Sequence, residues 1–332
     1  MPAETLPVNS LGTTRFPVSR IGFGAWPIGQ DWGEEVPEKA AHQTLHAALD
    51  AGMNFIDTAD IYGAGRSERL IGEVLRDRSE RIYVATKMGR DEDWEDTAEA
   101  IEKAAVGSLK RLGLETLDLV QLHCIPSDVL RRGEVFEGLE KIRKKGLIRH
   151  YGASVESIED ALHCIRFSGC AALQVIFNLF RQRVIRDLLP AAEVNHVGII
   201  ARVPLASGVL CGKFQPDHQF HEEDHRRYNA NGEFFNVGET FAGVPFHEGI
   251  ERALEAAALM ESSSPEASLG QKALRWILDH RAISTVIPGA RTPEQSQQNA
   301  EAARLERLGA TTHEALSDWY WDKVDRSVRG VY

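Results

Sequence analysis

The chain has 332 residues, 43% of them hydrophobic, which is enough to bury a large core. Its net charge of −11, from 38 basic and 49 acidic residues, counts against a nucleic-acid or anionic-membrane surface as the main partner. No apolar run approaches the roughly 18 residues of a membrane-spanning helix, and the first residues lack the basic and apolar stretches of a signal peptide. The 4 cysteines include no Cys-x-x-Cys pair, so we expect reduced thiols in a cytoplasmic protein.

Short apolar and β-branched runs, typical of buried strands, alternate along the chain with stretches of helical periodicity. The runs cover residues 21–23, 54–57, 82–86, 117–122, 150–153, 172–176, 198–201 and 283–287. Helices are predicted between them, for example over residues 97–112 and 134–145. Eight alternations of strand and helix predict a (β/α)8 TIM barrel rather than an open doubly wound sheet.

The chain is longer than the roughly 250 residues of a minimal barrel, and the surplus falls in three places. Residues 11–18 predict an N-terminal hairpin that closes the bottom of the barrel. Residues 213–247 form a long polar loop, of the kind that usually gates a cofactor or substrate site. Residues 312–328 predict a C-terminal helix. No linker rich in Pro, Ser or Gly is visible, so we expect a single domain over residues 1–332.

Ionisable side chains end three consecutive strand-like runs. Asp57, Lys87 and His123 lie 30 and 36 residues apart along the chain, one strand-and-helix unit each time. Tyr62 follows Asp57 closely, ahead of the string Gly-Ala-Gly-Arg-Ser-Glu. Each residue alone has an ordinary interpretation, such as a helix cap for Asp57. Because consecutive strand ends of a barrel face one pocket, the four together predict a site that handles protons.

The strings around these four residues resemble those of the aldo-keto reductases, in particular a bacterial NADP-dependent branch, over residues 11–299. The resemblance implies reduction of aldehydes and ketones to alcohols by hydride transfer from NADPH, and the reverse oxidation. It makes Tyr62 the proton donor and His123 the group that orients the carbonyl. A phenol donates reluctantly at neutral pH, so Lys87, held charged by Asp57, is expected to lower the pKa of Tyr62.

No Gly-x-Gly-x-x-Gly string is present, so a Rossmann nucleotide site is not supported. Residues 286–295 instead end the eighth strand and open a helix, with Thr292 as N-cap, Pro293 in the first turn and Gln295 at capping-box spacing. A helix start beside Arg291 suits a phosphate, although a well-capped helix explains the string equally well. The resemblance implies that this region holds the adenosine end of NADP, through Gly289, Arg291, Gln295, Gln298 and Asn299.

The resemblance also implies contacts with the rest of the dinucleotide. Ser154 and Gln174 would bind the nicotinamide carboxamide, and Arg202 stands where many members stack an aromatic ring on the nicotinamide. A guanidinium plane can stack as well. Val155 replaces an asparagine of the usual amide contact. The remaining implied cofactor contacts are Gly24, Ala25, Trp26, Pro204, Leu205, Ser207, Gly208 and Lys213.

Three tryptophans, Trp26, Trp32 and Trp94, follow the first and third strands and could wall a pocket beside Tyr62 and His123. An aromatic mouth favours aryl or medium alkyl carbonyls over free sugars. The expected partner is therefore a small-molecule carbonyl, with no nucleic acid and no membrane. The sequence leaves the oligomeric state open.

Two other functions fit parts of the sequence. Channel-associated members of the superfamily keep the same four residues, so a nucleotide-binding regulatory subunit without turnover is the alternative. Residues 221–225, His-Glu-Glu-Asp-His, match the His-Glu-x-x-His string of zinc proteases. That chemistry needs a stable, partly buried helix, whereas this segment is almost entirely polar and runs into a loop signal. We expect a solvated loop over the barrel mouth there and no metal.

Overall fold

The computed structural model describes residues 5–29, 33–90 and 97–332. Two short antiparallel strands come first, β1 (Val8–Ser10) and β2 (Pro17–Ser19), and a sheet of eight parallel strands in sequential order follows. Its strands are β3 (Phe23–Gly24), β4 (Phe55–Asp57), β5 (Tyr83–Met88), β6 (Leu117–His123), β7 (Ile148–Ser154), β8 (Cys170–Ile176), β9 (Gly198–Arg202) and β10 (Ile283–Val286). Parallel bridges Ile21–Val286 and Gly24–Gly289 join the last strand to the first, which closes the barrel. The predicted (β/α)8 fold and its eight strands are confirmed.

Helices separate the strands. They are α1 (Trp26–Gly29), α2 (Glu38–Asp50), α3 (Arg66–Arg76), α4 (Thr97–Leu112), α5 (Ser127–Arg132), α6 (Glu134–Lys144), α7 (Ile158–Ile165), α8 (Val184–Asp187), α9 (Leu189–Val194), α10 (His225–Tyr228), α11 (Phe246–Leu259), α12 (Leu269–Leu278), α13 (Pro293–Glu301) and α14 (Ala310–Trp319). The predicted helices over 97–112 and 134–145 correspond to α4 and α6. Within the described ranges, no helix has the length and apolar character needed to cross a membrane.

The hairpin β1–β2 closes the amino-terminal end of the barrel, as predicted. Gly12 in its turn has φ +52°, and a Cβ atom there would overlap Ala171 O and Gly198 N at the beginnings of β8 and β9. Ser284 Oγ donates to Ser10 O over 2.9 Å, which ties the hairpin to β10 as well. The turn therefore packs backbone against backbone, and only glycine fits it.

The barrel interior is arranged in layers, because side chains two residues apart on a strand point the same way. The lower layer is apolar and consists of Leu11, Val18, Phe55, Ala85, Leu119, Ala172, Ile200 and Ile287. Two residues further along five of these strands stand polar or charged residues: Asp57, Lys87, Gln121, Gln174 and Arg202. The two-residue repeat of strand side chains thus produces one apolar layer and, above it, the polar layer that forms the site.

The long loop and the C-terminal segment cover the opposite end. The loop contains α10 and two 3-10 turns, Val237–Glu239 and Phe241–Gly243. Arg181, 1% exposed, donates from its guanidinium to Ala242 O, Arg329 O and Val331 O. This buried arginine therefore holds the C-terminal segment and the loop together.

The predicted C-terminal helix over residues 312–328 is not continuous. It is present as α14, a π-helical turn (Tyr320–Val324) and a 3-10 turn (Asp325–Ser327). Asp325 accepts hydrogen bonds from Tyr320 and Arg183, so its contacts draw the last turns against the barrel.

Replacing Gly12 by alanine should destabilise the fold, because the new Cβ collides with two backbone atoms and φ stays positive. We expect the free energy of unfolding to fall by about 2–4 kcal/mol, measured by urea denaturation. Gly146→Ala is the matched control. Its φ is +79° but nothing lies within 4 Å of a Cβ there, so it should lose only about 1 kcal/mol. Equal losses in the two variants would contradict the close packing of the hairpin turn.

Candidate active site

The centre of the polar layer is a buried ion pair. Lys87 Nζ donates to Asp57 Oδ2 over 2.6 Å, to Thr58 O over 2.9 Å and to Tyr62 OH over 2.9 Å. The two charged side chains are 1% and 3% exposed. An ammonium has three N–H donors, and each has an acceptor here. Three of the four predicted catalytic side chains are thus joined in one chain of hydrogen bonds.

The second oxygen of Asp57 is held by two amides. Asp57 Oδ1 accepts from Gln121 Nε2 over 3.0 Å and from Gln174 Nε2 over 2.7 Å. Gln174 Nε2 also donates to Gln121 Oε1 over 3.2 Å. These bonds offset the loss of water around a buried carboxylate. Gln174, which was predicted to bind the nicotinamide carboxamide, thus donates from Nε2 to both Asp57 and Gln121.

Tyr62 is placed by a tight left-handed turn between β4 and α3. Gly63, Ala64 and Gly65 have φ values of +59°, +52° and +90°. A Cβ atom on Gly63 would overlap Gly29 O, so this position of the turn has no room for a side chain. The Gly-Ala-Gly string that follows the tyrosine is explained by this conformation, which aims the phenol at Lys87.

The pKa of Tyr62 in this protein is raised, not lowered. The Tyr62 side chain is partly exposed, but the protein around it removes water from the phenol. This desolvation raises the pKa above the usual 10.0. The positive charge of Lys87 lowers it, and the negative charges of Asp57 and Glu239 raise it again. Lys87 therefore lowers the pKa of Tyr62 as predicted, but burial outweighs this effect in the free protein. Tyr62 is a protonated phenol at neutral pH.

Lys87 stays charged in this setting. Burial alone would lower its pKa, but Asp57 and Tyr62 together outweigh burial and raise the pKa above 10.5. The ammonium is therefore held in place as a permanent positive charge beside the phenol.

His123 ends β6 with its ring edge against Tyr62, the ring centroids 5.9 Å apart. Burial lowers its pKa well below 6.5, and the nearby cations Lys87, Arg90 and Arg202 lower it further. The imidazole is thus neutral. Its Nε2 lies 3.5 Å from Arg90 Nη1, while Nδ1 has no hydrogen-bond partner among the described residues. The structure brings the fourth predicted catalytic residue to the same site.

Two arginines share one carboxylate beside His123. Glu239 Oε1 lies 3.2 Å from Arg90 Nη1 and 3.1 Å from Arg202 Nη1. Burial would raise the pKa of Glu239, but Arg202 and Arg90 lower it below its usual value, so it is ionised. Ser207 Oγ donates to Glu239 O and accepts from Phe241 N, each over 3.1 Å, which fixes the loop that carries the carboxylate.

Arg202, predicted to stack on a nicotinamide ring, is held by this arrangement. Besides Glu239, its Nη2 donates to Val155 O over 3.4 Å and to Cys124 Sγ over 3.7 Å. Its buried Nε has no partner in the described part of the chain. The guanidinium is thus fixed at the ends of β6, β7 and β9, within the barrel mouth.

Arg90, Gln121 and Glu239 were missed by the sequence reasoning. Gln121 stands two residues before His123 on one strand, so the period-two rule could have found it. Arg90 follows Lys87 by three residues, just past the end of β5. Glu239 comes from the long loop, and no local pattern indicates where a loop carboxylate will lie.

The residues predicted for the adenosine end lie around the start of α13. Thr292 Oγ1 accepts from Gln295 N over 3.3 Å, which confirms the N-cap. Gln295 Oε1 accepts from Arg291 N over 2.7 Å, one residue earlier than a capping box requires. Asn299 Nδ2 donates to Gly289 O over 3.3 Å, and the Arg291 guanidinium donates to Glu34 O over 2.6 Å. Gln298 is exposed on the same helix.

The other predicted cofactor residues lie at neighbouring strand ends. Ser154 ends β7, and Ala25 N donates to Asp57 O over 2.9 Å after β3. Pro204 and Leu205 begin a turn after β9 in which Ser207 and Gly208 have φ values of +53° and +94°. Lys213 is exposed beyond this turn. Ser207 is not a glycine, and left-handed conformations of non-glycine residues cluster at binding sites.

The predicted aromatic mouth is described only at Trp26, because Trp32 and Trp94 lie outside the described residues. The Trp26 ring centroid is 6.4 Å from that of Tyr62 and 4.8 Å from that of His225. His225 is buried at the start of α10, and burial lowers its pKa to about 4. The loop therefore lies over Trp26 at this point, and His225 within it is buried, not solvated as predicted.

Among the described residues, one cluster brings three potential metal ligands together, and it contains Cys124, Glu156 and Glu239. Neither His221 nor His225 of the His-Glu-Glu-Asp-His string belongs to it. Glu239 is already paired with two arginines, a setting that disfavours a cation.

Removing either partner of the central ion pair should be costly, because the other charge stays buried. We expect Lys87→Met to lower the free energy of unfolding by about 3–5 kcal/mol, measured by urea denaturation. Asp57→Asn added to Lys87→Met should restore part of that loss. Lys213→Met, at an exposed lysine, is the control and should change little. Additive losses in the double variant would contradict a direct Asp57–Lys87 interaction.

Known proteins resemble the whole chain. The model of the aldo/keto reductase family matches residues 20–319. The glycerol dehydrogenase of Gluconobacter oxydans is 30% identical, with a TM-score of 0.78 over 100% of this chain and 99% of that one. The oxidoreductase YqkF of Bacillus subtilis is 30% identical over 93% of this chain and 94% of its own length. An aldo-keto reductase of Schizosaccharomyces pombe, named for NADP(+), is 27% identical over 93% and 90%. The chain is therefore an oxidoreductase of the aldo/keto reductase family.

Proposed function

We propose that this protein reduces small aldehydes and ketones to alcohols with NADPH, and catalyses the reverse oxidation. The observation that carries the proposal is the buried chain Asp57–Lys87–Tyr62, with the neutral His123 against the phenol ring. A protonated phenol beside a permanent positive charge is suited to giving a proton to an oxygen on which negative charge develops.

The residues of the barrel mouth fit a dinucleotide. Polar groups follow one another along four adjacent strand ends, from Ser154 on β7 through Arg202 on β9 to the start of α13. Arg202 Nε is a buried donor that lacks a partner in the described chain. The first turn of α13 offers backbone N–H groups beside Arg291, a combination that binds phosphate. The Schizosaccharomyces pombe relative is named for NADP(+), which supports the same coenzyme here.

Arg291 is the residue we assign to the 2′-phosphate that distinguishes NADPH from NADH. Its guanidinium contacts a backbone carbonyl, Glu34 O. A phosphate is a stronger acceptor than a neutral carbonyl and matches the planar guanidinium in two contacts. Lys213 and Gln298, both exposed, are further candidates for the phosphate-bearing part of the coenzyme.

NADPH, when bound, supplies the hydride. Tyr62 gives its phenolic proton to the carbonyl oxygen as that oxygen becomes negative, and the phenolate left behind is stabilised by Lys87. The raised pKa of the free phenol keeps the proton on Tyr62 until it is needed. Lys87 then favours the charged product of that transfer, and Asp57 keeps the lysine aimed at the phenol. In the reverse direction the phenolate accepts the proton of the alcohol.

Tyr62→Phe should lower kcat for carbonyl reduction on the order of 10²-fold or more, because the hydroxyl acts mainly in the transition state. NADPH affinity, measured by fluorescence titration, should change little. Tyr83→Phe is a matched control, since Tyr83 begins β5 at the other end of the barrel. Turnover is followed by NADPH oxidation with a panel of simple aldehydes and ketones.

Two outcomes would contradict the proposal. A wild-type kcat in Tyr62→Phe would show that Tyr62 is not the proton donor. Tight NADPH binding by the wild-type protein, with no turnover of any carbonyl on the panel, would favour a nucleotide-binding subunit over a reductase.

A further inference from the structure

The side chain of Arg329 joins residues 328–332 to the long loop. Its guanidinium donates from Nε to Gly243 O over 2.9 Å, from Nη1 to Asn231 Oδ1 over 3.0 Å and from Nη2 to Ala230 O over 3.0 Å. The backbone N–H of Arg329 donates to Gly243 O as well, over 3.2 Å. One arginine therefore binds two separate parts of the loop, residues 230–231 and residue 243.

These two parts are the ends of one compact unit, residues 229–243. Asn229 is fully buried, and its Nδ2 donates to Thr240 Oγ1 over 3.0 Å. Its Oδ1 accepts from Phe234 N over 2.9 Å and from Phe235 N over 3.0 Å. The middle of the unit is thus tied to both of its ends, so a contact that holds the ends holds the unit as a whole.

The unit reaches across the mouth of the barrel. Its Glu239 side chain lies between Arg90, just after β5, and Arg202 on β9. Ser207 Oγ bonds to the loop backbone at and just after Glu239. Arg202 and Ser207 are among the residues predicted to contact the dinucleotide. Because the unit is bound at the same strand ends, it has to move aside before a dinucleotide can enter or leave.

Residues 328–332 are anchored to the barrel on their other side. Arg181 donates from Nη2 to Arg329 O over 3.0 Å and from Nη1 to Val331 O over 2.9 Å. Tyr332 OH accepts from Arg183 N over 2.9 Å, and the Tyr332 ring centroid lies 4.6 Å from Arg181 Cζ. Arg181 and Arg183 both follow β8, so the anchor belongs to the barrel and Arg329 links it to the loop.

The contact between Arg329 and the unit can open without unfolding the barrel. It consists of hydrogen bonds from one partly exposed side chain and one backbone N–H, and the nearby Val331 is 51% exposed. Water can replace such bonds at a small net cost. Segments that are held by accessible hydrogen bonds and few apolar contacts open at a low free energy. The contact therefore has the properties of a latch.

We propose that Arg329 is a positioning residue, a latch that holds residues 229–243 over the mouth and sets the rate at which NADPH and NADP(+) exchange. The proposal rests on the proposed use of NADPH. Closing the latch keeps Glu239 at Arg202 and confines the bound coenzyme, and opening releases it. The affinity for the coenzyme then depends on the fraction of the protein that is closed, so a weaker latch means weaker binding.

Arg329→Met tests the latch by stopped-flow fluorescence, in which NADPH-loaded protein is mixed with excess NADP(+). We expect NADPH to dissociate roughly tenfold faster than from the wild-type protein, because the hydrogen bonds of the guanidinium are lost. The KM for NADPH should rise accordingly. The kcat for a simple aldehyde should not fall by more than a fewfold, because the Asp57–Lys87–Tyr62 chain lies outside the loop.

Three further variants control this experiment. Arg326→Met, at an exposed arginine three residues earlier, removes the same charge and should behave as wild type. Arg329→Lys keeps the charge but loses the planar fork, so it should give an intermediate dissociation rate. Gly330→Ala weakens the contact independently, because a Cβ atom there would lie 2.7 Å from Val237 Cγ1 and 2.9 Å from Asn236 Oδ1 in the loop. It should also speed NADPH dissociation.

Hydrogen–deuterium exchange separates the latch from a general loss of stability and needs no coenzyme. In Arg329→Met, the backbone amides of residues 229–243 should exchange faster than in Arg326→Met, whereas those of β5 and β6 should exchange as in the wild-type protein. Equally faster exchange throughout the barrel would show that Arg329 only stabilises the fold, and would overturn the proposal.

The latch and the proposed function fail in different ways. If the wild-type protein binds NADPH and turns over, an Arg329→Met variant that releases NADPH as slowly as Arg326→Met overturns the latch and leaves the proposed function intact. A wild-type protein that binds no NADPH would overturn the proposed function and, with it, the role of the latch in coenzyme exchange.

Discussion

The ion pair between Asp57 and Lys87 is the contact around which the rest of the site is built. Two opposite charges removed from water are stable together only if their remaining donors and acceptors are also satisfied. Lys87 meets this condition through Thr58 O and Tyr62 OH, and Asp57 meets it through Gln121 and Gln174. Thr58 and Tyr62 follow β4, and Gln121 and Gln174 lie on β6 and β8, so the barrel brings the whole set together at its carboxyl-terminal end. The phenol is positioned as the last member of the set.

Ion pairs also join residues across the carboxyl-terminal face of the barrel. Glu239 joins Arg90 after β5 to Arg202 on β9, across the opening next to His123. The loop that carries Glu239 is held in place by Arg181, which donates hydrogen bonds both to Ala242 O in the loop and to the C-terminal segment. The loop therefore brings a negative charge to a site that would otherwise hold an excess of cations. The same carboxylate helps to keep the phenol protonated.

Much of this arrangement is predictable from local rules. The alternation of strands and helices gives the barrel, and the ionisable residues at strand ends converge because parallel strands end together. Thr292 is recognisable as a cap for the same kind of local reason. The sign of the Tyr62 pKa shift was not predictable, since burial depends on packing from the whole chain. The contact of Glu239 with its two arginines was not predictable from local patterns either. It joins a loop to residues at strand ends about 40 and 150 positions earlier in the chain.

Tyrosine labelled with carbon-13 at Cζ offers the most direct test of the central claim, that Lys87 acts on Tyr62 within a buried network. The chain has 6 tyrosines, and Tyr62 is assigned by its absence in Tyr62→Phe. NMR titration of the free protein should show Tyr62 still protonated at pH 10, and Lys87→Met should move its titration to still higher pH. A Tyr62 that titrates at the same pH with and without Lys87 would contradict the account.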